Sequence, residues 1–545
     1  MNIRHYNIYF STHTVSGIIA CALLYVIFFA GSFSFFRDEI AAWQKNISYK
    51  DQAASPEAYD VLLDSLSGVT NLHGRQISFF NFQEATRSYV NVSASQDSVL
   101  HAENLAKLAP TAEKKKSRRR GAGDAHYFNY DFVDRSSGGY DQQYDMAEFL
   151  YRLHFLAQLN EVPIRLGIAP FGYFVAGVVS FLFLFAMITG LLLHWDKIVS
   201  NFFIFRPFSK WKTVWTDMHT ALGVIGFPYQ FMYAVTGLFL IINTVLVVPF
   251  SKFLYQGDTQ ELYGDLGYTY TETTPYSYRP LEKDFQLSSY LHRTKEKWPD
   301  SEFKSVTIQN YGDSNMVLIM EMEPSYQHYF AGSGILALRV ADDSVMVEKS
   351  PTEETGYVDW VRSFIYRLHF GDFGGYPLKI VYFLLGIMGC LVIISGILIW
   401  LVARDKPKTA PIKRKFNFWA AHVFTAGCLT LLPVTALSFI AIKINPYGGQ
   451  SYIYRVYFYA WLAFGLYYLV RRSIARTNRE TLLTGAVLSL LVPITQGLAT
   501  GNWMWLSFYR GQTDIFMIDF LWLTIAVLAF VAYRKSISFF KNLAT

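Results

Sequence analysis

The apolar residues of this chain are concentrated in long blocks, and this clumping limits the fold more than any other feature. A block of about 20 apolar residues is long enough for a helix to cross the hydrocarbon core of a bilayer. Charged residues make up only 17% of the chain, against roughly 25% in soluble proteins. The sequence therefore predicts a polytopic all-α membrane bundle in a lipid bilayer. The eight predicted spans are residues 12–36, 171–195, 219–248, 378–401, 419–442, 453–470, 482–498 and 515–533.

Basic residues near the short loops indicate how the predicted spans are oriented. They form four clusters, at 197–212, 404–415, 471–479 and 534–541. All four fall on one side of an eight-span arrangement, together with both termini, and the positive-inside rule assigns that side to the cytoplasm. The net charge of +6 mostly reflects this asymmetry. We therefore predict no nucleic-acid partner, and we interpret the basic run at 114–120 as a solvated loop insertion.

Two long segments on the opposite side of the membrane separate the first spans. The second segment has a helical stretch at 287–298 followed by short strand-like runs, and the first has a weaker version of this pattern. The sequence thus predicts two extracytoplasmic α+β segments. The predicted order is span one in 1–36, the first outer domain in 37–168, spans two and three in 169–250, the second outer domain in 251–376, span four in 377–404, and spans five to eight in 405–545.

The chain contains the same phrase twice, as FLYRLHFLA at 149–157 and FIYRLHFGD at 364–372. Their histidines are 215 residues apart, at positions 154 and 369. A His-x-x-x-Gly motif also recurs, 206 residues apart, from His13 to His219. ITGLLLHW at 188–195 corresponds to ISGILIWL at 394–401. These repeats predict an internal duplication over spans one to four, with spans five to eight as an appendage.

These motifs resemble those of the PepSY-associated transmembrane proteins, in particular the bacterial ferric-siderophore reductases of the inner membrane. The similar features are the His-x-x-x-Gly openings, the Leu-His before spans two and four, the LHFGDFGG phrase at 368–375, and a Thr/Ser-Gly near the end of each even span. The resemblance covers roughly residues 1–405. It implies PepSY-like outer domains in the periplasm, a bacterial inner-membrane location, and b-type haem within the membrane.

Histidines support this interpretation independently. Six of the twelve lie in or at the ends of predicted spans, where ionisable residues are costly and usually functional. The predicted topology sorts them into two layers. His154 and His369 precede inward-running spans and so belong to the outer face. Four histidines lie at the cytoplasmic ends of spans: His13, His194, His219 and His422.

Two histidines on facing helices can bind one haem iron from both sides. If the repeats pack with pseudo-two-fold symmetry, equivalent residues face each other, which pairs His154 with His369 and His13 with His219. We therefore predict these four residues as axial ligands of two b-type haems. The attachment motif C-x-x-C-H of c-type haem is absent.

Glycine and arginine residues beside these histidines fit the same hypothesis. Gly17 and Gly223 lie four residues after His13 and His219, on the same helical face, and are predicted to leave room for a flat porphyrin. Arg152 and Arg367 are placed to neutralise haem propionates. For both arginines, an ordinary anchor at the membrane interface is the alternative.

The roles of five further residues are less narrowly predicted. His194 and His422 either replace one partner in the inner layer, form a third site, or lie in the headgroup zone. Gly190 and Gly237 are interpreted as helix-packing contacts. Asp217 is a candidate for orienting His219.

The sequence therefore predicts a transmembrane haem oxidoreductase of iron uptake. Electrons would pass from the cytoplasmic side to a ferric siderophore or other ferric chelate in the periplasm, releasing iron. No nicotinamide-binding G-x-G-x-x-G motif follows a strand and opens a helix, so an external flavin or a quinol is the expected donor.

Two other classes of protein are considered. A siderophore or metal transporter predicts broken spans with a polar site at mid-membrane. A haemless PepSY sensor or regulator of peptidase activity predicts outer domains that bind a peptide and helices that serve only as anchors.

Overall fold

The structure is a computed structural model that describes residues 2–50, 52–82, 85–108, 125–206, 209–266 and 273–542. The basic run at 114–120 lies outside these residues. The chain divides into two compact units. We call residues 1–48, 144–257 and 368–545 the helical unit, and residues 49–143 and 258–367 the sheet unit.

Helices make up most of the described chain. In chain order they are α1 Ile3–Ser34, α2 Arg37–Lys45, α3 Pro56–Val69, α4 Ser98–Leu108, α5 Met146–His154, α6 Phe171–His194, α7 Ile198–Phe202, α8 Trp211–Leu254, α9 Thr259–Asp265, α10 Leu287–Lys297, α11 Tyr357–Phe370, α12 Gly375–Arg404, α13 Pro411–Leu429, α14 Leu431–Ile444, α15 Gly449–Arg471, α16 Ile474–Thr500, α17 Met504–Tyr509 and α18 Thr513–Asn542.

Within the described residues, seven helical segments are long and apolar enough to cross a membrane. They are Ile3–Ser34, Phe171–Ser200, Lys212–Leu254, Gly375–Arg404, Pro411–Ile444, Ile474–Thr500 and Thr513–Ile537. The prediction of a mostly helical polytopic membrane protein is confirmed. The sixth predicted span, 453–470, lies in α15, whose 23 residues are long enough to cross but include Arg455 and several tyrosines. The count of eight spans therefore stays a prediction.

Two prolines have different effects on these long helices. Pro228 lies inside α8, which continues for 44 residues. Pro433 instead lies just after a break at Thr430 that separates α13 from α14. Proline has no N–H to donate to the carbonyl four residues earlier, which weakens the helix at that point. The Thr430 hydroxyl bonds to the carbonyl oxygens of Ala426 and Gly427, at 2.8 and 2.9 Å, and thus satisfies groups beside the break.

The sheet unit contains one antiparallel sheet of eight strands, in the order β4-β3-β2-β1-β5-β6-β7-β8. The first long segment supplies β1 to β4 and the second supplies β5 to β8. The two halves join where β1 pairs with β5, with Phe79 opposite Val306. The strands are β1 Ile77–Phe82, β2 Arg87–Val92, β3 His126–Asp131, β4 Ser137–Gly138, β5 Ser301–Gln309, β6 Val317–Pro324, β7 Gly334–Arg339 and β8 Val345–Lys349.

Helices α3 and α10 pack against the sheet and form the hydrophobic core of this unit together with it. Leu62 from α3 and Leu291 from α10 cluster with the sheet residues Phe79, Val306 and Ile308. Alternate residues of a strand point to opposite faces, which is why Phe79 is fully buried while its neighbour Phe80 is 45% exposed. The core thus contains side chains from both long segments, and each segment buries its apolar face against the other.

This packing predicts different effects for two neighbouring substitutions. Phe79→Ala removes a ring from the shared core and should lower the free energy of unfolding by roughly 3–5 kcal/mol. Hydrogen exchange of the full-length protein should then accelerate in both β1 and β5. Phe80→Ala on the opposite face is the matched control and should leave exchange near wild type. Equal effects of the two substitutions would contradict this account of the core.

Candidate functional site

His154 and His369 lie together in the helical unit. His154 is the last residue of α5, and His369 is near the end of α11. Their ring centroids are 5.9 Å apart, and the ring planes are inclined by 39°. The structure therefore brings together the two histidines of the repeated Tyr-Arg-Leu-His-Phe phrase. We call them the first histidine pair.

Hydrogen bonds determine which ring nitrogen of each residue carries a proton. His154 Nδ1 lies 2.8 Å from the backbone oxygen of Ile27. A carbonyl oxygen can only accept, so this nitrogen is the donor. His369 Nδ1 lies 2.9 Å from the Thr236 hydroxyl oxygen, which also lies 2.7 Å from the Met232 carbonyl oxygen. The hydroxyl can donate to either partner, so this contact orients the His369 ring and is compatible with both of its neutral tautomers.

His13 and His219 form the second histidine pair, on helices α1 and α8. Their ring centroids are 6.1 Å apart and their planes are inclined by 68°. His13 Nδ1 donates to the Ala186 carbonyl at 2.9 Å. His219 Nδ1 donates to the Val392 carbonyl, also at 2.9 Å. Ser395 Oγ lies 3.3 Å from the same nitrogen.

Three of the four histidines, His13, His154 and His219, thus share one protonation pattern when the ring is neutral. In these three, Nδ1 carries the proton and donates it, so Nε2 retains its lone pair. Histidines that bind metals typically donate their other ring N–H to a carbonyl or carboxylate in this way. When His369 Nδ1 donates to Thr236, both pairs of rings offer two Nε2 lone pairs as ligands.

Glycines make room for each of the four rings. A methyl group built on Gly31 would lie 2.4 Å from His154 Nδ1, and one on Gly237 would lie 3.3 Å from His369 Cε1. The corresponding distances are 3.0 Å from Gly190 to His13 Cε1 and 3.1 Å from Gly396 to His219 Cε1. Gly190 and Gly237 were predicted as helix-packing contacts, and the side chain that packs against each of them from another helix is a histidine ring.

Gly17 and Gly223, predicted to leave room for a porphyrin, have a different environment. A methyl group on either would meet no atom within 4 Å. The close approaches to the rings are made instead by glycines on the helix against which each histidine rests. Thr189-Gly190 and Ser395-Gly396 were already visible as a repeated motif. Their contact with His13 and His219 depends on how the helices pack and could not be deduced from spacing alone.

The contacts of the second pair repeat at a constant offset. His13, Ala186 and Gly190 correspond to His219, Val392 and Gly396, each pair of positions being 206 residues apart. Gly31 and Gly237 of the first pair have the same offset. Equivalent positions therefore perform equivalent steric roles in the two halves of the chain.

The two histidine pairs lie at different levels along the helices. His13 belongs to α1 at the second pair, and Ile27 of the same helix accepts the hydrogen bond from His154 at the first pair. Fourteen residues of α-helix correspond to about 21 Å of rise. The hydrocarbon core of a bilayer is about 30 Å thick, so the pairs are separated by much of its depth.

His194 and His422 have separate positions. His194 ends α6, four residues after Gly190, and lies within electrostatic range of His13 and His219. His422 is fully buried in α13. Its ring stacks on Phe418 with centroids 5.4 Å apart, and its Nε2 lies 3.4 Å from the Leu469 carbonyl oxygen. The structure therefore groups His194, but not His422, with the second pair.

Arg152 and Arg367 have protein partners of different kinds. Arg152 Nε donates to Glu148 Oε1 at 2.6 Å, one turn earlier on α5. The Arg367 guanidinium lies over the Tyr326 ring, 3.5 Å from its centroid. The role of both residues toward haem propionates stays a prediction.

Asp217 also has a protein partner. It forms two hydrogen bonds of 2.8 Å with the Arg206 guanidinium. These bonds account for both of its carboxylate oxygens, so its contact with Arg206 explains its position better than a role in orienting His219.

The donor sets fit haem iron. Within the described residues, no group of three or more His, Cys, Asp or Glu side chains is arranged to hold a metal ion. Two imidazoles alone suit an ion whose other positions are filled by a macrocycle. Two imidazoles bound to one ion at about 2 Å each would have centroids roughly 6 Å apart, close to the separations of 5.9 and 6.1 Å.

The fold and the site together define a class of protein: a polytopic helical membrane protein with two facing pairs of histidines at two depths. The chain belongs to the PepSY-associated TM region family, whose sequence profile matches residues 10–403. The resemblance to PepSY-associated transmembrane proteins is thus confirmed. No curated protein matches the chain.

The close approach of Gly31 to His154 predicts the effect of a single methyl group. Gly31→Ala should crowd the ring and cost roughly 1–3 kcal/mol of stability. Gly465→Ala, within α15, meets no atom within 4 Å and should be neutral or slightly stabilising, because alanine is favoured over glycine in a helix by about 1 kcal/mol. Thermal unfolding in detergent measures both. A Gly31→Ala protein as stable as wild type would show that the ring does not rest on this glycine.

Proposed function

We propose that this protein is a haem-containing reductase of the bacterial inner membrane that reduces a ferric siderophore or another ferric chelate in the periplasm. The observation that carries the proposal is the shared arrangement of the four histidines. In both pairs, each Nδ1 is hydrogen-bonded within the protein, and those of His13, His154 and His219 donate to backbone carbonyls, which leaves their Nε2 atoms as candidate metal ligands. Histidines that only stabilise the fold would not need to face each other in pairs, with Nδ1 hydrogen-bonded, at two equivalent places.

The chain's own residues have defined roles in this proposal. Ile27 and Thr236 fix the ring orientations of His154 and His369 through their hydrogen bonds. These hydrogen bonds fix how the two rings are oriented. The rings therefore need to move little before they bind iron. Gly31 and Gly237 allow the rings to lie against the helices. Haem b, when bound, supplies one-electron transfer without proton transfer.

Two arginines are proposed to bind the propionate groups of the outer haem. Arg152 and Arg367 each precede a histidine of the first pair by two residues. Arg152 already binds a carboxylate, that of Glu148, so its guanidinium is oriented for this type of ligand. A guanidinium binds a carboxylate with two parallel hydrogen bonds where geometry allows.

The proposed reaction is the one-electron reduction of chelated iron(III). A quinol becomes a quinone by giving up two electrons and two protons, or a reduced external flavin is oxidised by two electrons, and two iron(III) ions each accept one electron to become iron(II). Iron(II) is held less tightly by the hard oxygen ligands of a siderophore and can leave its carrier. Histidine pairs at two depths supply redox positions at both faces of the membrane, as such a reaction requires.

The proposed orientation follows from the basic loops. Both termini and the clusters at 197–212, 404–415, 471–479 and 534–541 are placed in the cytoplasm. The second histidine pair then lies near the cytoplasmic face and the first pair near the periplasmic face. The long segments that form the sheet unit are assigned to the periplasm. Their internal correspondence is attributed to duplication over the first four spans.

The structural observations favour this function over the two alternatives. A transporter is expected to concentrate its polar residues at mid-membrane in broken helices. The span Pro411–Ile444 is broken at Thr430, but the histidine pairs lie at two separate levels against α1, α6, α8 and α12, which are continuous. A haemless sensor gives no reason for two histidine pairs with matching contacts.

Absorption spectra of the purified protein test the proposal. We expect a dithionite-reduced difference spectrum with the bands of b-type haem. His154→Ala and His369→Ala should each remove roughly half of the haem, since each pair is proposed to hold one group within the bundle. His422→Ala, a buried histidine away from both pairs, is the matched control and should retain the full amount.

Two results would reject different parts of the proposal, namely the function and the choice of ligands. A purified wild-type protein without b-type bands would remove the reductase function. Full haem content in both the His154→Ala and His369→Ala proteins would remove the assignment of the first pair.

A further inference from the structure

Helix α2 connects the C-terminal helices to the helix that carries His154. It follows α1 directly and spans the nine residues Arg37–Lys45. Trp43, near its end, is fully buried. We use the term C-terminal helices for α13 to α18, residues 411–542.

The C-terminal helices hold the end of α2 through two buried ionisable side chains. Trp43 Nε1 donates to Asp519 Oδ1 at 2.8 Å. Lys443 Nζ donates to the Trp43 carbonyl and, at 3.1 Å, to the Gln44 carbonyl. Buried polar groups require partners such as these. Asp519 is 0% exposed and Lys443 is 3% exposed.

The residue that ends α2 is held in the same way. Asn46 is in the left-handed conformation, with φ of 57°. Its side-chain oxygen accepts hydrogen bonds from Gln496 Nε2 at 2.8 Å and Asn502 Nδ2 at 2.9 Å. The C-terminal helices therefore fix α2 and the turn after it through several independent hydrogen bonds.

Helix α2 in turn holds the start of α5. Gln44 Oε1 accepts a hydrogen bond of 2.8 Å from the backbone N–H of Met146, the first residue of α5. Such an N–H has no partner within its own helix. Arg37 forms an ion pair of 2.5 Å with Glu148. His154 lies at the other end of this nine-residue helix. These contacts therefore position the helix, and the hydrogen bond to Ile27 orients the ring.

Aromatic packing adds a second support for α5. The Phe149 ring is fully buried, with centroids 4.6 Å from Tyr457 and 5.7 Å from Tyr454, both on α15. Phe364 has the corresponding position in the repeated phrase on α11 and is 51% exposed. The support is therefore specific to the His154 half of the first pair.

We propose that Asp519 and Lys443 are positioning residues for His154, acting through Trp43 and helix α2. The C-terminal helices then fix the helix that carries one ligand of the outer pair. Helix α2 also forms an ion pair with α12 through Glu39 and Lys379, 2.6 Å apart, but this contact does not involve Trp43. The inference rests on the proposed function for the role of His154 as a ligand, but the mechanical link can be tested without haem.

Hydrogen exchange in the full-length protein tests the link. Asp519→Leu leaves the Trp43 N–H buried without an acceptor, so the amides of Met146–His154 should exchange about tenfold faster or more. Asp519→Asn retains an acceptor oxygen and should restore wild-type exchange. Trp43→Phe removes the donor together with part of a buried ring that packs against Phe439 and Lys443, and it should accelerate exchange at least as much as Asp519→Leu. The amides of Tyr357–Phe370 should be unchanged in all three.

Thr481→Val is the control for a general loss of stability. Thr481 is a buried residue of α16 whose hydroxyl bonds within its own helix, to the Thr477 carbonyl at 2.7 Å, so its replacement should leave α5 exchange unchanged. In the haem-loaded protein, Asp519→Leu should shift the spectroscopic signal of one haem only.

The possible results separate the two proposals. Unchanged α5 exchange in folded Asp519→Leu and Trp43→Phe proteins, or equal acceleration of α5 and α11, would overturn the positioning role. Absence of haem from the wild type would reject the proposed function, and the exchange measurement would still decide the mechanical link.

Discussion

The hydrogen bond between each histidine Nδ1 and an oxygen atom of a neighbouring helix is the interaction on which the candidate site depends. An imidazole inside a membrane bundle is costly unless its polar atoms are satisfied. Here one nitrogen of each ring is satisfied by the protein, and the other points away from that bond. The same hydrogen bond fixes the ring orientation, so the protein sets the geometry that the proposed role as a ligand requires.

The rest of the helical unit serves this arrangement. Glycine at positions 31, 190, 237 and 396 lets the rings lie close to the helices that accept their hydrogen bonds. Long continuous helices then hold the two pairs at different depths. Around the first pair, α2 and the aromatic residues of α15 hold the helix that carries His154, and α2 reaches the other half of the repeat through the ion pair between Glu39 and Lys379. The two halves of the chain are similar in their histidine pairs but differ in the contacts that support them.

Sequence patterns predicted some of these features and could not predict others. The apolar blocks located the membrane helices, since length and hydropathy are local properties. The repeated phrase selected His154 and His369, which the structure brings together. The patterns did not reveal that β1 pairs with β5, because the register between segments more than 200 residues apart is not encoded locally. Similarly, Gly31 has no distinguishing neighbours in the sequence, and only helix packing shows that it contacts His154.

The central claim is that both histidine pairs bind haem iron through two imidazoles each. Low-temperature electron paramagnetic resonance of the oxidised, purified protein tests it directly. We predict only low-spin signals of iron with two axial imidazoles, from two distinguishable centres. A dominant high-spin signal, which indicates iron with one axial ligand or none, would contradict the account.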